Sequence, residues 1–255
     1  MEKPNGDVKE QILKAATRLF SDKGYEGAKM NEIAQSAGVN KALIYYYFPS
    51  KQSVLDCILD NFFDEIVDMG IGFIQKSITR LIEEGRLDIL PDRMRFTTMD
   101  DLREFKKMLY EYYRDAMRHF LDRRGVLRIV LAEALRSGEQ HDALFRFFTL
   151  SESNKKNPFY VAVYNADPDI SYSKPAIFRK FFFSLLPMVN FAVFYDDYKA
   201  ISGMNDEEMH KAYLNSLESL YAGNYVGQDI IIDVKGGADL ATGTGGGGTT
   251  SNPSV

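Results

Sequence analysis

The sequence has very little cysteine, no tryptophan and few histidines. Among 255 residues there are one cysteine and three histidines. A lone Cys57 excludes an intrachain disulfide and is typical of a reducing, cytoplasmic compartment. The histidines, His119, His141 and His210, lie far apart and lack the spacing of metal ligands. With no Gly-x-Ser-x-Gly nucleophile motif either, an enzyme is disfavoured, and we expect no metal and no cofactor.

Long apolar runs and a targeting segment are also missing. No stretch of about 18 uncharged apolar residues occurs, which argues against a transmembrane helix. The first seven residues are polar and lack the apolar core of a signal peptide. We therefore expect a cytoplasmic protein.

Basic residues are too few overall for a simple nucleic-acid-binding protein. The 31 Lys and Arg against 36 Asp and Glu give a net charge of −5 at pH 7, whereas nucleic-acid-binding domains are usually basic. The distribution is uneven, however. Residues 1–53 carry eight basic and six acidic residues, a net of +2, which leaves −7 for the remainder. The whole-chain charge therefore does not exclude an N-terminal DNA-binding unit.

Apolar residues recur with helical spacing along most of the chain, and consistent period-2 alternation is nearly absent. The pattern predicts an all-α protein. Residues 154–172 are polar, hold two prolines, and are expected to form an irregular loop. Seven of the nineteen glycines lie in the last twenty residues, which predicts a flexible, Gly-rich tail over 228–255.

The first fifty residues predict three short helices, each bounded by residues that start or stop a helix. The first follows a cap at Asp7 and ends at Gly24; the second covers roughly 30–37 and ends at Gly38. The third covers 41–48, with Asn40 as its N-cap and Pro49 as its stop. Two short helices joined by a glycine-containing turn form a helix-turn-helix, whose second helix enters the DNA major groove.

The alternative is a helical hairpin that only packs. The composition of the third helix argues against it, because Lys-Ala-Leu-Ile-Tyr-Tyr-Tyr-Phe carries apolar or aromatic groups all round two turns. A helix this short can bury only one face. The remainder must meet another surface, and tyrosine hydroxyls suit phosphate oxygens.

Residues 11–25 and 32–51 resemble the DNA-binding domain of the TetR family of bacterial transcriptional regulators. The shared features are an Ile-Ala helix, an Ala-Gly-Val turn, a short aromatic helix ending in Phe48, and a lysine that opens the next helix. Tyr47 stands where the family usually has His. The resemblance implies an all-α fold with an N-terminal three-helix helix-turn-helix domain (1–53). A larger helical-bundle domain for effector binding and dimerisation (54–227) would follow.

The resemblance also implies roles for individual residues. Lys41, Ala42 and Leu43 would face base edges, with lysine donating to guanine and the apolar groups contacting thymine methyls. The residues expected to contact the sugar-phosphate backbone or to add further contacts are Lys29, Asn31, Asn40, Tyr45, Tyr46, Tyr47 and Lys51.

Lys29 departs from the family, which usually has a capping Thr at this position. A lysine cannot accept hydrogen bonds from helix N–H groups, so the cap is expected to be lost. It also puts a cation at the positive end of a helix, which a bound phosphate would offset. Lys29 is either an added phosphate contact or a solvated lysine.

The second part of the chain is rich in aromatic residues, with 27 of the 33 lying between 54 and 227. Such a helical domain can line a cavity for a small hydrophobic effector, although core packing explains any single residue equally well. The candidate lining residues are Phe105, Met108, Tyr112, Tyr113, Met117 and Phe120.

The last two predicted helices cover 175–200 and 206–221. The segment 178–194 is apolar on nearly all faces, so it must be buried all round, for example against a second subunit. In the resembled family these helices form a four-helix bundle in a homodimer. The candidate interface residues are Phe182, Leu186, Val189, Val193, Leu214, Leu217 and Tyr221.

Together these features predict a dimeric regulator that binds pseudo-palindromic double-stranded operator DNA. It is expected to be a repressor that a small hydrophobic effector releases. The alternative is a ligand-independent architectural or activating helix-turn-helix protein. Absence of a pocket above roughly 300 Å³ in the second domain would favour that alternative.

Overall fold

The computed structural model describes residues 5–91, 93–135, 142–150, 152–170 and 173–221. The predicted tail over 228–255, His141 and the side chain of Tyr221 lie outside the described residues. Within them the protein is almost entirely helical, which confirms the predicted fold class.

Four helices open the chain: α1 Asn5–Gly27, α2 Met30–Ser36, α3 Lys41–Tyr47 and α4 Lys51–Ile74. α1 is interrupted at Gly24, whose φ of 73° is easily adopted only by glycine. The Asn40 side-chain oxygen accepts from the Leu43 N–H at 2.8 Å, and Ser50 Oγ accepts from the Ser53 N–H at 3.0 Å. The predicted cap of α3 is thus confirmed, and Ser50 caps α4 in the same way.

α4 continues through a π-helical segment, Gln75–Thr79, into α5 Arg80–Glu83, and a β-hairpin follows. The antiparallel strands are β1 Leu87–Ile89 and β2 Met94–Phe96, with Leu87 opposite Phe96. The prediction of helices alone was wrong for this part of the chain. Strands of three residues contain too few alternations for a period of two to stand out.

Four further helices follow: α6 Met99–Asp122, α7 Arg124–Ala134, α8 Asp142–Thr149 and α9 Pro158–Tyr164. The predicted irregular loop over 154–172 is wrong in its middle, which forms α9. The Asn157 side chain accepts from the Phe159 N–H at 3.0 Å, and Pro158 occupies the first turn, where its missing N–H is not needed. Asn157 and Pro158 therefore form the start of α9.

The helix predicted over 175–200 is divided. It consists of α10 Lys174–Lys180, a π-helical segment Phe181–Leu185, α11 Leu186–Val193 and α12 Tyr195–Ser202. Pro187 explains the π-helical segment, because it cannot donate to the carbonyl four residues before it. α13 Asp206–Tyr221 then closes the described chain, as predicted.

The segment that runs from α10 to α12 is rich in apolar residues, as a membrane-spanning helix would be. In the described parts of the chain no single helix is long and apolar enough to cross a membrane. The pair Ile177–Val193 and Tyr195–Ser202 meets the length and composition requirement only jointly, with a bend of 76° between its halves.

The first helices and the larger bundle share one hydrophobic core. Its members include Ile12, Phe20, Phe62, Leu127 and Val189. α1 also packs closely on α7, since a Cβ on Gly125 would lie 3.5 Å from the Thr17 methyl group. A second core lies under the hairpin, around Leu81, Leu87 and Phe105. A boundary at residue 53 therefore falls within a continuous core, and the division into domains stays a prediction.

Candidate functional site

One face of α3 is turned to solvent although half of it is aromatic. Lys41, Ala42, Tyr45 and Tyr46 are exposed, Tyr46 by 75%. Ile44 on the opposite face is fully buried, which anchors the helix to the core. Exposed aromatic groups on so short a helix mark a binding surface rather than a packing one.

The exposed face is held in place by contacts between α1 and α2. Lys23 Nζ donates to Glu32 Oε1 at 3.0 Å, and Arg18 Nη2 donates to Ser36 Oγ at 2.8 Å. Glu32 Oε2 also accepts from the backbone N–H of Lys29 at 3.1 Å. The hydrogen bond from Lys23, followed by that from Lys29, lowers the pKa of Glu32 below its usual range. These contacts fix the angle at which α2 precedes the turn.

The Lys29 side chain accepts no hydrogen bond at the start of α2, which confirms that its side-chain cap is lost. Glu32 supplies only the reciprocal half of a capping box, because its carboxylate accepts from the backbone N–H of Lys29. The Lys29 and Asn31 side chains are exposed at this end of α2. Both therefore remain available to DNA.

Three other predicted contact residues are less accessible or partly engaged. Leu43 and Tyr47 are half-buried, and the Tyr47 ring lies edge-on against the Tyr46 ring at 5.3 Å. Asn40 is exposed, but its carboxamide oxygen caps α3, so its NH₂ group is the part that can reach a phosphate.

Lys51 does not reach toward the exposed face. Its Nζ donates to the carbonyl oxygens of Tyr25 at 2.8 Å and Ala28 at 3.3 Å, and lies 3.6 Å from a Glu26 carboxylate oxygen. The ammonium also sits 4.2 Å from the centre of the Tyr25 ring. These partners account for its three N–H donors. In the DNA-free structure this side chain closes the turn between α1 and α2, and the predicted phosphate contact by Lys51 stays a prediction.

A second feature lies inside the larger part of the protein, between α4, α6, α9 and the segment that leads into α11. This cavity has a volume of about 250 Å³, slightly below the roughly 300 Å³ that separates typical ligand pockets from smaller voids. Its walls are mainly apolar. They include Ile66, Met69, Gly70, Phe73, Phe159 and Met188.

Of the six predicted lining residues, four lie on the cavity wall: Phe105, Tyr112, Tyr113 and Phe120. Met108 and Met117 do not. Met108 Sδ lies 3.7 Å from Arg80 Nη2, and Met117 packs in a separate cluster with Phe191. Spacing alone did not separate them, because each stands three or four residues from residues that do line the cavity.

The cavity wall also includes one basic residue that sequence reasoning missed. Lys180 lies on its wall, and burial lowers the pKa of its ammonium to about 8. Burial likewise raises the pKa of the Tyr112 hydroxyl to about 12. The available signal was a lysine next to the apolar segment 181–194.

The residues of the predicted dimer surface differ in exposure. Val189, Val193, Leu214 and Leu217 are buried by the chain itself, so they have almost no side-chain surface to offer a partner. Phe182 is exposed and Leu186 is half-buried. Other large apolar side chains exposed on α10 to α12 are Phe178, Phe183, Phe194, Tyr198 and Ile201.

Two of the three histidines and the cysteine lie within the described residues. His119 stacks on Phe62, and His210 Nε2 lies 3.3 Å from the Tyr195 hydroxyl. Cys57 is half-buried. Within the ranges that the structure covers, no three His, Cys, Asp or Glu side chains come together as a metal site.

Comparison with known proteins concerns mainly the N-terminal part. Residues 12–58 match the family model of "Bacterial regulatory proteins, tetR family". The biofilm operon icaADBC HTH-type negative transcriptional regulator IcaR of Staphylococcus aureus is 40% identical over 80 residues. That match covers 30% of this chain and 42% of IcaR. IcaR of Staphylococcus epidermidis is 33% identical over 61 residues, which cover 24% of this chain and 33% of that protein.

Among solved structures, a TetR-family transcriptional regulator from Mesorhizobium loti aligns with a TM-score of 0.51 and 20% identity. The alignment covers 88% of this chain and all of that one. At this identity the likeness concerns the fold alone. It extends over both the helix-turn-helix and the larger helical part.

Proposed function

We propose that the chain is a cytoplasmic repressor of the TetR family of bacterial transcriptional regulators, whose family model matches residues 12–58. In this proposal α3 reads a pseudo-palindromic operator, and a small hydrophobic molecule in the interior cavity releases the DNA. The observation that carries the DNA-binding part is the exposed face of α3, where Lys41, Tyr45 and Tyr46 stand clear of the protein surface.

Repression is supported by a relative. IcaR of Staphylococcus aureus, which shares 40% identity over 80 residues, is named as a negative transcriptional regulator. Since the shared part spans 42% of that protein, it bears on DNA binding more than on the signal that each protein detects.

The effector part of the proposal rests on the position of the cavity. α4 begins directly after the helix-turn-helix and forms part of the cavity wall through Ile66, Met69, Gly70 and Phe73. A ligand that moves this helix would also move α3, because only three residues join the two helices and both pack into one hydrophobic core. Ligand binding would then shift the population toward a form whose two α3 helices no longer match the operator spacing.

We propose a homodimer in which the exposed aromatic surface of α10 to α12 meets its copy. Phe178 and Phe182 stack at 4.4 Å between ring centres, and both are exposed. A dimer about a twofold axis would present two α3 helices to half-sites about 34–36 Å apart, or multiples of that distance.

The test begins with selection of bound duplexes from a random DNA library, followed by gel-shift titration of the selected sequence. We expect an inverted repeat. Lys41→Ala should change the preferred base at one position in each half-site, because lysine at the start of α3 donates to base acceptors. If Lys41→Ala weakens selected and random duplexes equally, the assignment of Lys41 to base contact is wrong.

A ligand-independent architectural or activating role is the second candidate, favoured by a cavity volume just below that of typical ligand pockets. The two candidates differ in one measurement. A repressor of the proposed kind loses operator affinity when its cavity is filled, whereas an architectural protein keeps it.

A further inference from the structure

Aromatic rings make up much of the wall of the interior cavity. Eight of the described wall residues carry one. The Phe73 and Tyr112 rings stack with 4.5 Å between their centres and 23° between their planes, and the Phe105 ring lies 6.1 Å from that of Phe73. Aromatic rings pair by offset stacking or edge-to-face contact at about 4.5–7 Å between centres. Flat, paired rings of this kind therefore favour a ligand that contains a ring itself.

The charges on this wall favour a neutral ligand. Lys180 is the one charged residue among the wall residues that the structure describes, and no Asp or Glu lies there. Lys180 already takes part in an interaction within the protein, so it is not a free counter-ion for an anion. A cation would find no carboxylate on the described wall. Since burying a charge without compensation is costly, a neutral molecule meets the least opposition.

Two polar side chains on the wall are already used by the protein. The Asn157 amide donates to two backbone carbonyls, at 2.7 and 3.0 Å, and the Tyr160 hydroxyl donates to the Ile170 carbonyl at 3.2 Å. The Tyr112 hydroxyl, in contrast, forms no hydrogen bond with any residue that the structure describes, and burial alone raises its pKa to about 12. This hydroxyl is therefore a donor left for a ligand.

The Tyr112 hydroxyl also keeps surface that a ligand can reach. The enclosed side-chain atoms without a partner, among the described residues, include the Tyr213 hydroxyl but not that of Tyr112. A hydroxyl that has no partner and is not enclosed borders open space. Since Tyr112 lies on the cavity wall and its raised pKa indicates withdrawal from bulk water, that space is the cavity.

We propose that this cavity binds a small, neutral aromatic molecule with one hydrogen-bond acceptor, which accepts from the Tyr112 hydroxyl. The ring of the ligand lies against the aromatic wall. The inference rests on the proposed effector role of the cavity and names the chemical class of the effector.

The size of the cavity narrows the class further. A volume of about 250 Å³ holds roughly eight to twelve non-hydrogen atoms, given that a water molecule in the liquid uses about 30 Å³. One benzene ring with a small carbonyl substituent falls within this range. Two fused or linked rings with further substituents exceed it.

The test measures the binding of four probes to the full chain by equilibrium dialysis in sealed cells at pH 7. The probes are acetophenone, α-methylstyrene, benzoate and benzamidinium, which have the same number of non-hydrogen atoms and nearly the same shape. Acetophenone is neutral and has an acceptor, α-methylstyrene has a CH₂ group in place of the carbonyl oxygen, and the other two carry opposite charges. We expect acetophenone to bind at least tenfold more tightly than either charged probe.

Tyr112→Phe tests the hydrogen bond, because it keeps the ring and removes only the hydroxyl. It should lower the ratio of acetophenone affinity to α-methylstyrene affinity by roughly three- to tenfold, the net value of one neutral hydrogen bond. Comparing this ratio between proteins cancels the different hydration of the two probes. Tyr160→Phe is the matched control, since it removes a wall hydroxyl that already has a partner, and it should leave the ratio within about twofold.

The inference is wrong if acetophenone does not bind, if benzoate or benzamidinium binds as tightly, or if Tyr112→Phe leaves the ratio unchanged. The release of operator DNA is measured separately in gel shifts. Tyr112-dependent acetophenone binding that leaves operator affinity unchanged supports the ligand class and contradicts the effector role. A chain that binds acetophenone as expected but selects no DNA sequence contradicts only the proposed function.

Discussion

Tyr46 is the most exposed aromatic residue of the described chain, and nothing in the fold requires its hydroxyl at this position. A phenol at this point of α3 can donate to a phosphate oxygen, a contact that carries no sequence information. We expect Tyr46→Phe to weaken binding to selected and random duplexes by a similar factor, roughly ten- to hundredfold, since one hydrogen bond to a charged group is lost. Gel-shift titration on both duplexes measures this.

The matched control is Tyr110→Phe, which removes the hydroxyl of an exposed tyrosine on α6 and should leave DNA binding unchanged. An unchanged thermal unfolding temperature in both variants would show that the effect arises in the complex. Should Tyr46→Phe change the preferred operator sequence, the residue contacts bases and the phosphate assignment is wrong.

Lys51, unlike Tyr46, contacts other parts of the protein. Its ammonium donates to two backbone carbonyls and lies next to the Glu26 carboxylate. We expect Lys51→Met to lower the free energy of unfolding by about 1–3 kcal/mol, the usual cost of leaving buried acceptors without a charged donor. If the ammonium keeps these partners in the complex, the salt dependence of operator binding should not change, since no phosphate contact is then lost. Urea unfolding and gel shifts at several salt concentrations measure the two effects.

Lys29→Met is the natural comparison, because Lys29 is an exposed lysine of the same domain. If Lys29 contacts a phosphate, its removal reduces the slope of log affinity against log salt by about one and leaves stability nearly unchanged. A reduced slope in Lys51→Met instead would contradict the role assigned to Lys51.

At the scale of single elements, α4 depends on a glycine to approach α9. A Cβ on Gly70 would lie 2.5 Å from Phe159 Cε1, closer than real Cβ contacts allow. Gly70→Ala should therefore displace the Phe159 ring from the cavity wall, lower stability by about 1–3 kcal/mol and weaken ligand binding. Differential scanning calorimetry and ligand titration would report these changes.

Gly72, two residues along the same helix, has nothing within 4 Å of its added Cβ. Gly72→Ala should raise stability by about 0.5–1 kcal/mol, because alanine loses less conformational entropy in a helix. If both alanine variants behave alike, the close packing of α4 on α9 does not shape the cavity.

The elements that could be predicted from the sequence are those with local signals. Asn40, Gly24 and Pro49 mark the ends of the short helices, and apolar spacing marks α4 and α6. The hairpin was missed because its strands are too short. α9 was missed because Pro158 and its polar neighbours suggested a loop, although Asn157 before Pro158 is also a helix start.

The residues of the candidate site also fall into those that the sequence could predict and those that it could not. The exposed face of α3 followed from a short helix with more apolar surface than it can bury. The role of Lys51 was not predictable, because its carbonyl partners belong to a turn whose geometry appears only in the folded chain. Lys180 gave no periodic signal either, since its place on the cavity wall depends on helices distant in sequence.

At the scale of the whole molecule, the exposed phenylalanines of α10 and the following π-helical segment carry the proposed dimer. Phe178, Phe182 and Phe183 are close to half-exposed, and the Phe178 ring lies next to both of the others, so together they form one apolar patch. A contiguous patch of this kind marks an interaction surface. We expect Phe182→Ser to shift the chain toward monomer in sedimentation velocity at micromolar concentration.

Phe182→Ser should also bind the full operator much more weakly, although Phe182 is far from α3 in the sequence. A monomer holds one half-site, whereas a dimer gains the second contact at high effective concentration. Affinity for an isolated half-site should stay unchanged, which separates loss of dimerisation from damage to α3. Met99→Ser removes another exposed apolar side chain, at the start of α6, and should change neither property. A native chain that sediments as a stable monomer, or a Phe182→Ser dimer as stable as the native one, would contradict the assigned surface.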